Sequence, residues 1–314
     1  VSPRAIGLLA GFVLDRLLGD PRRHHPVAGF GTVAMKAEQA WYADDRARGV
    51  LHTVTLVGGA VVLGAAAERL APGPTAKALV TAAATWAVLG GRSLEREAMA
   101  VHAHLDTGDL PAARQRLTHL VGRDTAQLDA SEVSRAVVES VAENTSDAVV
   151  APLVWGALGG VPGLLGYRAA NTLDAMVGHH NDRYERFGWA SARLDDLLNL
   201  PGSRLSGLLA IATSPSPDAA REAARAWRRD AAAHPSPNAG VVEATFAGSL
   251  GVRLGGTNTY YGNRVEHRAV MGDGLATEPA DIPRATELAL RVGVGAAITG
   301  ALAAAAIRCR DRRS

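Results

Sequence analysis

The residues best suited to chemistry in this chain are acids and amides set at helical spacing beside uncharged stretches. In Val138-Glu139-Ser140-Val141-Ala142-Glu143-Asn144-Thr145-Ser146-Asp147, the acids Glu139, Glu143 and Asp147 fall at i, i+4 and i+8. A continuous helix would place these three carboxylates on one face. Like charges so placed repel, so arginine or a divalent cation must compensate. Hard oxygen donors suit Mg²⁺, which usually also draws on substrate phosphates. A solvated acidic face shows the same pattern. This one abuts an apolar run, where an ionisable group is costly unless it is paired or functional.

Four other clusters have comparable character. Asn171 and Asp174 lie i, i+3 within Tyr167–Asp182; the adjacent His179 and His180 are poor joint ligands for one ion and read as turn or substrate contacts. Asp196 and Asn199 share a helical face in 193–205, where neighbouring acids either bind a cation or cap a helix. Asp15 sits inside an apolar run, either paired with Arg16 or functional. It is followed by Gly19-Asp20-Pro21 and His25-Pro26-Val27, which also read as turn chemistry. Asn238 in Pro235-Ser236-Pro237-Asn238 precedes a helical run as an N-cap. Gly255-Gly256-Thr257-Asn258 forms a turn whose backbone N–H groups suit a phosphate.

These clusters need elements to hold them. Five apolar stretches, 5–18, 53–67, 78–91, 148–166 and 292–307, alternate with loops rich in Arg, Asp and Glu. A spanning helix needs about 20 apolar residues, and only 148–166 approaches that without charged flanks. A sixth stretch, 205–213, is too short alone. Residues 218–233, with Arg221, Arg225, Arg228 and Arg229, predict a helix facing solvent or headgroups. The pattern predicts an all-α, polytopic membrane protein with long polar loops, one domain over 1–314. Arg22, Arg23, Arg46 and Arg48 draw the first loop inside, and Arg308, Arg310, Arg312 and Arg313 draw the C-terminal end inside. One middle segment is then re-entrant or interfacial.

Composition removes several mechanisms. Cys309 is the only cysteine, which excludes intramolecular disulfides, Cys-rich zinc sites and iron–sulfur clusters. The net charge of +2 points to no nucleic-acid partner. Lys36 and Lys77 are the only lysines, and there is no Gly-x-x-x-x-Gly-Lys-Ser/Thr phosphate loop, no Gly-x-Ser-x-Gly elbow and no His-Glu-x-x-His. If ATP is used, its phosphates are held by arginine, backbone N–H and Mg²⁺.

Together the blocks resemble the CobD/CbiB family, the adenosylcobinamide-phosphate synthases of cobalamin biosynthesis. The resemblance rests on Gly19-Asp20-Pro21 with His25-Pro26-Val27, Gly91-Arg92-Ser93-Leu94, Val121-Gly122-Arg123-Asp124-Thr125, 138–147, 167–178, 193–205, 237–240 and 255–262, in family order. One local variant is Gly178-His179-His180, where the family often has an aromatic residue after the glycine. The resemblance implies a multi-pass protein of the cell (inner or plasma) membrane, embedded in the lipid bilayer. It also implies an acid–amine ligase joining the propionate carboxylate of the corrinoid adenosylcobyric acid to (R)-1-aminopropan-2-yl phosphate, or free aminopropanol, with ATP and Mg²⁺. Other late cobalamin-pathway enzymes are possible partners.

Within that resemblance Glu143, Asp147 and Asp174 are the preferred Mg²⁺ ligands. Arg92, Arg123, Arg168 and Arg204 are the preferred phosphate clamps, since arginine offers a bidentate fork. Asp20, His25 or Asp196 accepts the proton of the attacking amine. Asn144, Asn171, Asn199, Asn238 and Asn258 suit ATP or the amide rim of the corrinoid. Two other classes share part of the pattern. A Mg²⁺-dependent membrane transferase also places acids on helices near the membrane, but its Asp-Gly-x-x-Ala-Arg pattern is absent. A non-catalytic transport subunit would not need so many acids and amides in its loops.

Overall fold

A computed structural model describes residues 2–21, 25–179, 181–260 and 264–311. Helices carry them: α1 (Pro3–Leu18), α2 (Pro26–Trp41), α3 (Arg46–Leu70), α4 (Gly73–Val88), α5 (Gly91–Asp106), α6 (Leu110–Leu117), α7 (Ala130–Thr145), α8 (Ala151–Val177), α9 (Trp189–Ala212), α10 (Pro217–Asp230), α11 (Ala239–Leu250) and α12 (Asp281–Asp311). A π-helical turn, Ser146–Val150, joins α7 to α8, and a 3-10 turn, Ala231–Ala233, follows α10. The class is all-α, 77% helical. One exception is the antiparallel pair β1 (Leu254–Tyr260) and β2 (Arg264–Met271). It takes up the Gly-Gly-Thr-Asn segment that the sequence presents as a turn.

Three helical stretches are long and apolar enough to cross a membrane: Arg46–Leu70, Ala130–Val177 and Asp281–Cys309. Only 17% of the apolar window in Arg46–Leu70 is buried within the protein. Val54, Val62 and Leu63 are each more than 60% exposed there. A surface that apolar fits lipid rather than water, and the chain is an all-α membrane protein. Arg22, Arg23, His180, Arg312 and Arg313 lie outside the described residues.

Contacts group the chain into two compact units, each assembled from separate stretches. The first comprises Val1–Gly90, Asp147–Gly202 and Ala296–Ser314; the second comprises Gly91–Ser146 and Ser203–Gly295.

In the first unit, α1 and α4 have 16 residues each, about 24 Å at 1.5 Å per residue. That is short of a hydrocarbon core of about 30 Å, and the two helices pack on one another. Ser2 caps α1 by accepting from Ala5 N–H. Gly7 and Gly11 then form a small-x-x-x-small stripe that admits α4 at close range. A Cβ at Gly7 would lie 2.4 Å from Thr81 Cβ, and one at Gly11 would lie 2.4 Å from Thr85 Cβ. Gly11→Leu therefore forces the crossing apart. Thermal unfolding in detergent should show a loss of about 1–3 kcal/mol, the usual cost of overpacking. Gly29→Ala, which meets nothing within 4 Å, is the matched control. Equal unfolding temperatures for the two variants would refute the close crossing.

The long apolar stretch α8 is bent. Gly160 has φ +66° and ψ −147°, outside the helical region, and Pro162 follows. The backbone groups freed by the bend are satisfied from other helices. Glu68 on α3 accepts from Val161 N–H at 2.9 Å. Arg4 on α1 donates to the carbonyls of Ala157 and Leu158 at 3.2 Å. Broken helices survive in apolar surroundings only with such substitutes.

In the second unit, α7 contributes Val133, Val137, Val138 and Val141 to the core, all fully buried. Every residue of α11 is buried as well. An Asp129–Glu132 capping box fixes the start of α7.

Candidate functional site

The first unit gathers its polar residues at the end of α8. Tyr167 is 2% exposed, and its hydroxyl has no hydrogen-bond partner among the described residues. Arg168 donates to Asn171 Oδ1, one turn on, at 3.4 Å. It lies within electrostatic reach of Asp20, Asp147 and Asp195, and Tyr167 feels Asp147, Asp195 and Asp174. Several carboxylates thus converge on the Arg168 guanidinium, and hard oxygen donors of this kind suit a divalent cation. Asn199 on α9 donates its amide to Asp147 Oδ1. Asp195, one turn earlier on α9, is 7% exposed. Sequence reading passed it over in favour of its neighbour Asp196, which is half-buried.

Asp20 and His25 meet across the bend between α1 and α2, with His25 Nε2 3.6 Å from Asp20 Oδ1. His25 also caps α2, its Nδ1 accepting from Val27 N–H at 3.2 Å. A neutral ring so held carries its proton on Nε2, facing Asp20. Asp15 is fully buried in α1.

Gly178 explains part of the Asn171–Gly178 block. A Cβ there would fall 1.9 Å from Asp174 Oδ1, so the bare glycine leaves room for that carboxylate. Gly178→Ala should leave folding intact and displace Asp174. The apparent Mg²⁺ requirement for activity should rise roughly tenfold, the lower end for disturbed metal-site groups. An unchanged Mg²⁺ titration would remove Asp174 from the site.

Among the described residues, no three His, Cys, Asp or Glu side chains approach closely enough to cage a metal. Mg²⁺ does not need a cage. It is commonly held by one or two carboxylates with substrate phosphates and water. Asp147 and Asp174, hard oxygen donors that both act on Tyr167, fit that mode. Glu143, the third expected ligand, belongs to the second unit. The π-helical turn also interrupts the regular repeat between Glu143 and Asp147.

In the second unit the acidic face of α7 is compensated by arginine. Glu139 is 4% exposed. It accepts from Arg123 at 2.5 Å, from Arg135 at 3.1 Å and from Gly255 N–H at 2.8 Å. Arg135, one turn before Glu139, also reaches the carbonyls of Gly255 and Thr257 on β1. Gly255 has φ +85°, and a Cβ there would meet Ala269 O at 2.1 Å. Glu139 and Arg135 thus tie α7 to the strand pair, and Arg123, expected on a phosphate, is held by Glu139. Arg92 pairs with Glu95 at 3.0 Å on α5.

Glu143 is exposed on α7. Asn144 spends its N–H on Ser140 O at 2.9 Å and Ser140 Oγ at 3.3 Å, which leaves its carbonyl for a ligand. Glu243 on α11 is 1% exposed, and its Oε2 makes no hydrogen bond among the described residues. Burial first, then Glu139 and Glu143 nearby, push its carboxyl well above the usual carboxylate range. His234 Nε2 lies 3.7 Å from its other oxygen. An acid on an otherwise apolar helix was the available signal for Glu243; His234 had none. Arg204 donates to Asn238 Oδ1 and Ser203 Oγ, each at 2.8 Å. Asn238, expected as a helix cap, makes no side-chain cap and instead steers Arg204. Asn258 lies on β1; its side chain is outside the described residues.

A model of the family described as CobD/Cbib protein matches residues 8–289. The chain belongs to the CobD/CbiB family. CobD relatives agree along its length. The cobalamin biosynthesis protein CobD of Mycobacterium tuberculosis is 52% identical over 299 residues, 94% of each chain. That of Geobacter metallireducens is 46% identical over 288 residues, 89% of this chain and 90% of its own. That of Rhodobacter capsulatus is 42% identical over 290 residues, 90% and 91%. No solved structure matches the chain. Membership places this CobD/CbiB chain in cobalamin biosynthesis.

Proposed function

We propose that the chain forms an amide between (R)-1-aminopropan-2-yl phosphate, or free aminopropanol, and the propionate carboxylate of adenosylcobyric acid, using ATP and Mg²⁺ in the cell membrane. The observation that carries this reading is the Arg168 locality of a CobD/CbiB chain. The Arg168 guanidinium, a Tyr167 hydroxyl without a hydrogen-bond partner among the described residues and several carboxylates stand together there, beside the Asp20–His25 pair.

Amide synthesis from a carboxylate needs a leaving group. The propionate oxygen attacks the γ-phosphorus of ATP, ADP departs, and an acyl phosphate forms. The amine nitrogen then attacks the acyl carbon, the C–O bond to phosphate breaks, and inorganic phosphate leaves with the bonding pair. The nitrogen sheds one proton. Asp20 is the carboxylate assigned to accept it, with His25 Nε2 3.6 Å away. Arg168 offers a planar fork to phosphate oxygens. Asp147, fixed by Asn199, and Asp174 would hold Mg²⁺, which when bound neutralises phosphate charge. Asn171, one turn after Arg168, presents an amide group suited to the corrinoid rim.

The deciding assay is ADP release by detergent-purified protein with ATP, Mg²⁺, adenosylcobyric acid and aminopropanol phosphate, with the corrinoid product followed by mass. ADP should appear only when both the corrinoid acid and the amine are present. ADP release indifferent to the corrinoid, or none at all, would sink this reaction.

A further inference from the structure

The second unit holds a cavity of about 660 Å³ walled by α9, α10 and the Pro235–Pro237 loop. Its charged lining is unusual for this protein. Of the arginines on α10, Arg221 pairs with Asp218, Arg225 with Glu222, and Arg229 with Asp230 and Asp273. Arg228 has no carboxylate partner among the described residues, and it is the one that lines the cavity.

Arg204, on the facing wall, shows the same pattern. It is steered by Asn238 and Ser203, both neutral and both buried. Among the described residues no carboxylate bears on it, and burial weakens its hold on its proton. A guanidinium oriented by an amide and a hydroxyl keeps its full charge for something else. Arg92, Arg123 and Arg168 each have carboxylates beside them, so Arg204 stands apart from the other expected clamps.

Trp227 completes the wall. Its ring rests on α9 at Gly207, where a Cβ would come within 3.0 Å of Cζ3. An aromatic face beside two uncompensated guanidinium groups suits a small organic anion better than a bare ion.

We propose that this cavity is a phosphate-group site in which Arg204 and Arg228 clamp the phosphate and Trp227 packs against the carbon skeleton attached to it. The occupant assigned is the phosphorylated amine substrate. That assignment rests on the amide-synthesis reading; the phosphate site itself does not.

The test uses full-length protein in detergent, with (R)-1-aminopropan-2-yl phosphate as calorimetric titrant. Arg204→Gln should weaken binding roughly tenfold or more, and Arg228→Gln several-fold, as expected for lost charged hydrogen bonds. Arg225→Gln removes the same charge from α10 away from the cavity and should bind as wild type. Arg228 is exposed, so its variant keeps the test valid if Arg204→Gln folds poorly. A second arm compares nanodiscs of phosphatidylglycerol with discs of phosphatidylcholine. Variant-sensitive preference for phosphatidylglycerol, without binding of the soluble phosphate, would assign the site to a lipid headgroup and overturn the substrate. Wild-type binding in both pocket variants, or an equal loss in Arg225→Gln, would overturn the site. Intact phosphate binding without any amide synthesis would overturn the reaction and leave the site standing.

Discussion

Glu139→Gln is expected to cost about 3–5 kcal/mol of stability, the scale for removing one partner from a buried ion pair. Glu139 accepts from Arg123, Arg135 and Gly255 N–H together. The side chains of Glu139, Arg123 and Arg135 are 5%, 7% and 12% exposed. The glutamine keeps the shape and can still take the Gly255 hydrogen bond. Its amide then points N–H at a guanidinium, and both arginines lose the charge of Glu139. The strand pair should loosen from α7, because Arg135 also holds the Gly255 and Thr257 carbonyls. Denaturant unfolding in detergent measures the loss. Hydrogen exchange should rise first in Leu254–Tyr260. A variant of wild-type stability with an altered Mg²⁺ requirement would instead make Glu139 a metal ligand.

Arg168→Lys is expected to lower kcat/KM by roughly 10- to 150-fold while expression and membrane insertion stay normal. The figure corresponds to about 1.5–3 kcal/mol for a charged hydrogen bond. Lysine keeps the charge that balances Asp20, Asp147 and Asp195, so the fold has little reason to fail. What it loses is the planar fork that can bond Asn171 and a phosphate at once. The loss should fall on the ATP titration at saturating aminopropanol phosphate, because the carboxylates suited to Mg²⁺ belong to the same locality. With ATP saturating, the aminopropanol phosphate titration should shift little. Wild-type behaviour in both titrations would make Arg168 a structural counter-ion alone.

What sequence reading could and could not reach follows from the range of each interaction. Local periodicity placed Glu139 and Glu143 on one helical face and 218–233 in one helix, and both hold in α7 and in α10 with its 3-10 turn. The partner of Glu139 was open between arginine and cation. Arg123 lies 16 residues away and Gly255 lies 116 away, and no local pattern links them. A π-helical turn at Ser146–Val150 follows Glu143 and takes in Asp147, and such a turn leaves no mark in residue spacing. Residues 255–258 read as a turn from the Gly255-Gly256 pair, and both glycines do have positive φ, while the pairing that makes them a strand is supplied by β2. Arg204 was chosen for its type; that Asn238 would steer it, and that Arg228 would face the same cavity, are tertiary facts.

The bend at Gly160 bears on how the protein is made. The groups that cap it, Arg4 and Glu68, emerge from the ribosome well before the segment they serve. When α8 reaches the membrane, α1 and α3 are already synthesised and can receive it. An α8 arriving without them would have to carry free carbonyls and an unbonded Val161 N–H into hydrocarbon, or straighten against Pro162. The chain order of these three helices is thus itself a condition of insertion. A circular permutation that delivers α8 ahead of α1 and α3 should yield a protein that is degraded or left unfinished in the membrane, although every native contact remains available to it.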